Sequence, residues 1–322
     1  MFNKLGPTVI LITGVAIGYG FNHFISVVDT PADQTEKKVV EKPQPKPQKP
    51  KKSPEEILMA DTQKYCNENL NKIPGQFAAD HLKSICEKVK ILPNCTSVEG
   101  DPIFHMEKEG VSKRGKRILA LSLIHGDEFP SGTVALKWMS RLLDIDSRNT
   151  WRVIPIANPD GWKKGTRMNI NGLDLNRNFP TNDWDDMALD RWKNQKKSDP
   201  RRYPGPGGGS EPETKCLISH IQQFKPDFII SVHTPYGILD FDGPEIDAPH
   251  FYPLQWRRFG NFPGSLGRYM WKDRQVPVLT IELKGNDAIT KLEELDKLQD
   301  ITGLVAIRAD EKLSDSEKKS NN

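Results

Sequence analysis

The sequence predicts an α/β fold, a mixed, mostly parallel sheet flanked by helices, behind an amino-terminal anchor and a helical pre-segment. Three observations carry that expectation. From about Cys95 onward, short unbroken apolar runs alternate with amphipathic stretches. The runs are short and continuously apolar, as strands covered on both faces are. Imidazoles and carboxylates close several of them, at the strand ends where α/β sheets place their sites.

The 322 residues allow one large domain with appendages. A net charge of +3, concentrated in a Lys-rich linker and tail, argues against a nucleic-acid partner. Residues 1–28 place Lys4 before an uncharged stretch, Leu5 to Val28, with Asp29 and Asp33 after it. That order predicts an anchor in the inner membrane with the remainder outside, in the bacterial periplasm or cell envelope. A cleaved signal is the rival reading. Residues 29–54, with "EKPQPKPQKPKKSP", form an extended Pro/Lys-rich linker.

Residues 55–94 are expected to form two amphipathic helices. Ser53 and Pro54 start the first, Pro74-Gly75 breaks the pair, and the second gathers Phe77, Leu82, Ile85, Cys86 and Val89 near one face. Export would permit disulfides among Cys66, Cys86, Cys95 and Cys216, and all three full pairings stay open. A zinc site built from the cysteines is not expected.

Residues 95–310 hold the catalytic region. "RILALSLIH" and "WRVIPIANPDG" are buried strands, with a helix, "GTVALKWMSRLLDI", between them. "PGPGGGS" reads as a flexible rim, and "GSEPETKCLISHIQQF" as a helix opened by a Ser210–Glu213 capping box. "PDFIISVH" and "PVLTIEL" are two more buried strands, and residues 311–322 a frayed polar tail.

His125 and Glu128 flank "HGDE" after the first strand, and His233 ends another. Two imidazoles and a carboxylate are the ligand set of hydrolytic zinc, with a coordination position left for water. Glu282 closes "PVLTIEL", where a carboxylate is costly unless it meets a metal, a cation or a catalytic water. Arg167 and Arg177 stand on the Gly- and Asn-rich "TRMNINGLDLNRNFP", where no helical or strand period requires them. Arginine forks suit carboxylates and developing oxyanions.

"HGDE", "NPDG", "TRMNINGLDLNRNFP", "SEPET", "SVH" and "PVLTIEL" occur in the order found in zinc carboxypeptidases. With "CTSVEGDPIF" as an opening strand, the chain resembles that family over about residues 95–309, and most of all its bacterial branch of murein peptide amidases. The resemblance implies one zinc per chain on His125, Glu128 and His233, and Glu282 as the general base that activates the zinc-bound water. It implies that Arg167 polarises the scissile carbonyl and that Asn176 and Arg177 grip the terminal carboxylate. Asp127 would orient the site, unless it is a surface turn residue. The substrate implied is a murein peptide, cut at the γ-D-glutamyl–diaminopimelate bond. General polypeptide carboxyl termini, or wall binding without catalysis, are the alternatives.

The chain departs from the family's digestive members at Arg258–Phe262, which lacks their closing Tyr; Tyr252 lies upstream. Leu266 stands where basic-specific relatives carry an Asp. The loop "TPYGILDFDGPEID" offers Asp240, Asp242 and Glu245, either as a solvated acidic rim or as a contact for the diaminopimelate ammonium. In the second case Arg257, Arg258 or Arg268 would meet the second carboxylate.

Overall fold

The computed structural model describes residues 53–285 and 292–320. The expected anchor and nearly all of the linker lie outside the described residues. Among the described residues, no helix is long and apolar enough to cross a membrane.

Helix α1 (Pro54–Leu70) starts where expected. The Ser53 side chain accepts from the Glu56 amide at 3.2 Å, while the Glu56 carboxylate accepts from the Ser53 amide at 2.7 Å. Helix α2 (Ala79–Lys88) ends earlier than its amphipathic pattern suggests, and the chain continues as an edge strand, β1 (Val89–Thr96). The β-branched Val89 and Ile91, followed by Pro93, disfavour another helical turn. Val89 and Ile91 instead pair with Met106 and Phe104 of β2 (Pro102–Lys108). The pre-segment therefore supplies a strand of the sheet, and its Cys66, Leu70, Ile85 and Cys86 share a core with Ile118 and Trp138.

Next come β3 (Arg117–Leu121), α3 (Phe129–Asp144), β4 (Thr150–Ile154), α4 (Pro159–Lys164) and α5 (Trp184–Asp190). They are followed by α6 (Pro212–Phe224), β5 (Phe228–His233), β6 (Tyr236–Asp242), β7 (Gln255–Trp256), β8 (Val278–Lys284) and α7 (Glu294–Ser320). The eight strands form one sheet in the order β1-β2-β4-β3-β5-β8-β6-β7. The centre, β4-β3-β5-β8, is parallel, whereas β1, β2 and β6 join antiparallel.

Strand residues alternate between two apolar layers. Ile118, Ala120, Phe228 and Ile230 join the layer containing residues of α1, α2, α3 and α7. Leu119, Leu121 and Ile229 join the layer containing Leu217, Ile221 and Phe224 of α6. Burial on both faces explains why the central runs read as continuously apolar.

Three local expectations are corrected. No capping box opens α6: Glu211 is the N-cap residue, the Ser210 hydroxyl donates to its carboxylate, and Glu213 accepts from Asn169 and from the Val98 amide. Those side chains serve tertiary contacts instead. The glycine-rich "PGPGGGS" is pinned, because the Asn178 amide donates to the carbonyls of Pro204 and Gly207. The polar tail continues α7 as helix through Ser320.

The disulfides are Cys66–Cys86, which ties α1 to α2, and Cys95–Cys216, which ties β1 to α6. Their residues lie 20 and 121 positions apart. Loop-closure entropy predicts about 3 kcal/mol from the shorter link and about 5 from the longer. The paired change Cys95→Ala/Cys216→Ala is therefore expected to lower the denaturant midpoint more than Cys66→Ala/Cys86→Ala, and urea unfolding of both proteins measures it.

Candidate active site

The site forms at the carboxyl ends of β3, β5 and β8. His125 and Glu128 lie on the turn between β3 and α3, which is compressed against the amino end of α4. A Cβ at Gly126 would collide with the Gly161 backbone, so the turn requires glycine. His233 ends β5, and the parallel register sets it beside Glu282 of β8.

The three candidate ligands converge. His125 Nδ1 lies 2.9 Å from Glu128 Oε1, and His233 Nδ1 lies 2.9 Å from Glu128 Oε2 and 3.1 Å from His125 Nδ1. The outer nitrogens are engaged: His125 Nε2 with Asp174 Oδ1 at 3.0 Å, and His233 Nε2 with Ser231 Oγ at 2.9 Å. Asp174 is placed to accept a proton from His125 Nε2, which would leave the Nδ1 lone pair for a cation at the centre. A carboxylate and imidazole lone pairs meeting at one buried point fit a cation, and the donor set suits zinc.

Asp174 was missed in the sequence. Fully buried, it takes His125 Nε2 and the Asn176 amide on Oδ1, and Arg167 Nε and Nη2 on Oδ2 at 3.2 and 2.8 Å. Burial opposes its charge, but Arg167, His125 and Arg177 hold its carboxyl well below the ordinary range. Its only sequence signal is an acid on a loop between two arginines. Asp127, expected to orient the site, instead accepts from Arg201 at 2.9 Å.

Held by Asp174, Arg167 keeps Nη1 directed at the centre, 3.0 Å from His125 Nδ1. Asn176 and Arg177 lie on the 3₁₀ turn Leu175–Arg177, whose N-cap is Asp174. The Asn176 carbonyl accepts from the Leu266 amide at 2.9 Å, so its amide nitrogen is the group left to donate into the cavity. Arg177 is half-buried against Phe262, 4.9 Å from guanidinium carbon to ring centroid. The backbone of Gly264, at φ +77°, packs so tightly on the Arg177 carbonyl that no Cβ would fit.

These groups share a cavity of about 570 Å³ with Glu282, Asp240 and Asp242. Glu282 Oε2 is buried without a hydrogen-bond partner, and burial raises the carboxyl's pKa against the pull of His233. Asp240 and Asp242 are not on a loop: they sit two apart on β6, facing the cavity. Burial, then Asp240, pushes the Asp242 carboxyl up to about 6. Of the arginines expected to meet a second carboxylate, none lines the cavity, and Arg268 is paired with Asp183. Leu266 is buried. Tyr252 is exposed away from the cavity, whereas Tyr236 lines its mouth, edge-on to Phe259 at 5.4 Å between centroids.

The zinc carboxypeptidase family profile matches residues 77–238. The chain belongs to the zinc carboxypeptidase family. Among relatives of this member, murein peptide amidase A of Vibrio campbellii is 32% identical over 211 residues, 62% of this chain and 81% of the relative. Murein peptide amidase A of Escherichia coli is 35% identical over 146 residues, 45% of this chain, so the match spans only 59% of that relative. The solved structure of bovine thrombin-activatable fibrinolysis inhibitor, at 17% identity, covers 78% of this chain and 97% of its own with a TM-score of 0.56, a likeness of fold.

For this zinc carboxypeptidase, Asp174→Asn should lower metal affinity about 10–100-fold, the usual cost of losing a ligand's hydrogen-bond partner. Competition with a chelator measures the affinity, and circular dichroism checks that the fold survives.

Proposed function

We propose that this chain is a zinc peptidase that cuts murein peptides outside the cytoplasmic membrane, at the γ-D-glutamyl–diaminopimelate bond. One observation carries the reading: two histidines and a glutamate converging on one point, a strand-end carboxylate with one buried oxygen unpartnered, two arginines and the aspartate pair of β6 share one cavity. Two disulfides suit an exported protein, as does the proposed anchor within residues 1–28.

One zinc on His125, Glu128 and His233 would supply Lewis acidity and lower the pKa of water. Glu282, beside His233, takes the proton of the attacking water and passes it to the leaving amine. Its raised pKa favours the second transfer. Arg167, clamped by Asp174, offers Nη1 to the oxygen on which negative charge develops. Asn176 and Arg177 fix the terminal carboxylate, and Asp240 with Asp242 receives the ammonium on the side chain of the released residue.

Mass spectrometry of muropeptides incubated with the purified protein should show release of diaminopimelate-containing products. His125→Ala should lose most bound zinc, whereas Glu282→Gln should keep it and lose about 10²–10⁴-fold in kcat. Products ending elsewhere, or full zinc in the His125→Ala protein, would overturn the reading.

The aspartates add a pH dependence. Above about 6 the Asp242 carboxyl is charged and attracts an ammonium; below, it is protonated and does not. The kcat/KM preference for peptides ending in diaminopimelate over norleucine should therefore fall as pH drops through about 6, and Asp242→Asn should flatten that profile.

A further inference from the structure

Four arginines line the cavity: Arg167, Arg177, Arg201 and Arg202. The last two lie on the 3₁₀ turn Pro200–Arg202, whose N-cap, Asp199, accepts from the Arg201 amide at 3.0 Å. That turn is docked on the loop that carries the site. The Arg201 carbonyl accepts from Arg167 Nε at 3.1 Å, and the Tyr203 carbonyl accepts from the Asp174 amide at 2.8 Å. Successive side chains of a 3₁₀ turn diverge by about 120°, so the two arginines serve different parts of the wall.

Arg202 stands with the proposed terminal-carboxylate grip. It pairs with Asp199 at 3.3 Å, and burial, then Arg167 and Arg202, lower the Arg177 pKa against the pull of Asp174. Arg201 turns to the metal side instead: its Nη2 donates at 2.9 Å to Asp127 Oδ2, on the turn between His125 and Glu128. Among the described residues, no hydrogen bond or ion pair joins Arg201 to Asn176, Arg177, Asp240 or Asp242. Those groups are tied together at their own end of the cavity, through Asn261 to Asp242 at 3.1 Å and the Leu266 amide to Asn176 at 2.9 Å. A peptide whose terminal residue fills that end has its acyl side across the metal centre, where Asp127 and Arg201 stand. The Arg201 side chain is 57% exposed, and Asp127 occupies a single nitrogen of its guanidinium, so donors remain for a ligand.

We infer that Arg201, steered by Asp127, determines specificity on the acyl side of the scissile bond: it receives a free carboxylate carried by the residue whose carbonyl is attacked. The inference rests on the function proposed above and adds the side of the substrate that the released residue does not contain. In a γ-linked glutamyl residue this group is the α-carboxylate, about four bonds and roughly 5 Å from the attacked carbon. An α-linked alanyl residue has no such group, and γ-linked isoglutamine replaces it with a neutral amide. Arg201 therefore selects γ over α linkage, and free over amidated peptides.

L-Alanyl-γ-D-glutamyl-diaminopimelate and its α-amide, L-alanyl-γ-D-isoglutaminyl-diaminopimelate, differ in this group alone. The wild-type protein should prefer the acid in kcat/KM by about fivefold or more, the worth of one charge-assisted hydrogen bond at an open rim, expressed mainly in KM. Arg201→Gln should remove that preference. Were Arg201 only a brace for the loop holding Arg167, the variant would lose equally on both peptides; that result, or equal turnover of both by the wild type, would overturn the assignment. If the wild type hydrolyses neither peptide, the proposed function fails, and calorimetry on the zinc-loaded protein still decides the subsite. L-Alanyl-D-glutamate should then bind more tightly than L-alanyl-D-isoglutamine, with the difference lost in Arg201→Gln; equal binding by the wild type would overturn the subsite.

Discussion

The Asp174 carboxylate is the interaction on which the site depends. A carboxylate with no exposed surface is costly, and this one is compensated by four donors from three parts of the site. One oxygen fixes the ring of His125 and caps the turn carrying Asn176 and Arg177; the other holds Arg167. His125, Arg167 and the turn carrying Asn176 and Arg177 are therefore referenced to a single group. Displacing Asp174 would disturb all three together, which is why the 166–178 loop can carry precise chemistry without regular secondary structure.

The sheet supplies the second reference. Parallel pairing of β5 with β8 brings His233 level with Glu282, and antiparallel pairing of β6 with β8 sets Ile238 opposite Glu282. Asp240 and Asp242 follow at alternate positions on β6, so a single register places Glu282 and both aspartates. That register is anchored by apolar layers on both faces, since a one-residue slip would carry Ile229 or Leu279 into the wrong layer. Chemistry at the sheet's end is thus positioned by packing in its interior.

Much of this was legible in the chain. Strand ends are marked by the change from apolar to polar residues, so His233 and Glu282 announce themselves, and the short spacing of His125 and Glu128 encodes a local turn. Asp174 gave no comparable sign, because its meaning comes from His125, 49 positions away. Asp127 drew attention merely by lying between the ligands. The β1 strand was hidden in a helical pattern, since Ile85, Cys86 and Val89 suit either period until Pro93 ends the choice. Ser210 and Glu213 have capping-box spacing, yet partners at Asn178, Asn169 and Val98 claim their side chains. Local pattern fails where a distant partner decides the use of a side chain.

The acidic wall of the cavity, Asp240 and Asp242, follows the same logic. Burial, and then the neighbouring Asp240, raise the Asp242 carboxyl's pKa, so its charge carries an electrostatic cost in the free protein. A cationic group beside the two aspartates would relieve that cost. A neutral side chain would not, and would still displace water from the carboxylates, leaving them desolvated and unmatched. In the proposed function, selectivity would come less from attraction to the correct residue than from the penalty imposed on the wrong one, which is how a polar site can reject an isostere lacking one charged group. The apolar Leu266, buried behind the Asn176 turn, adds no charge to this balance, so in the proposed function the discrimination of the released residue would rest on Asp240 and Asp242 of β6.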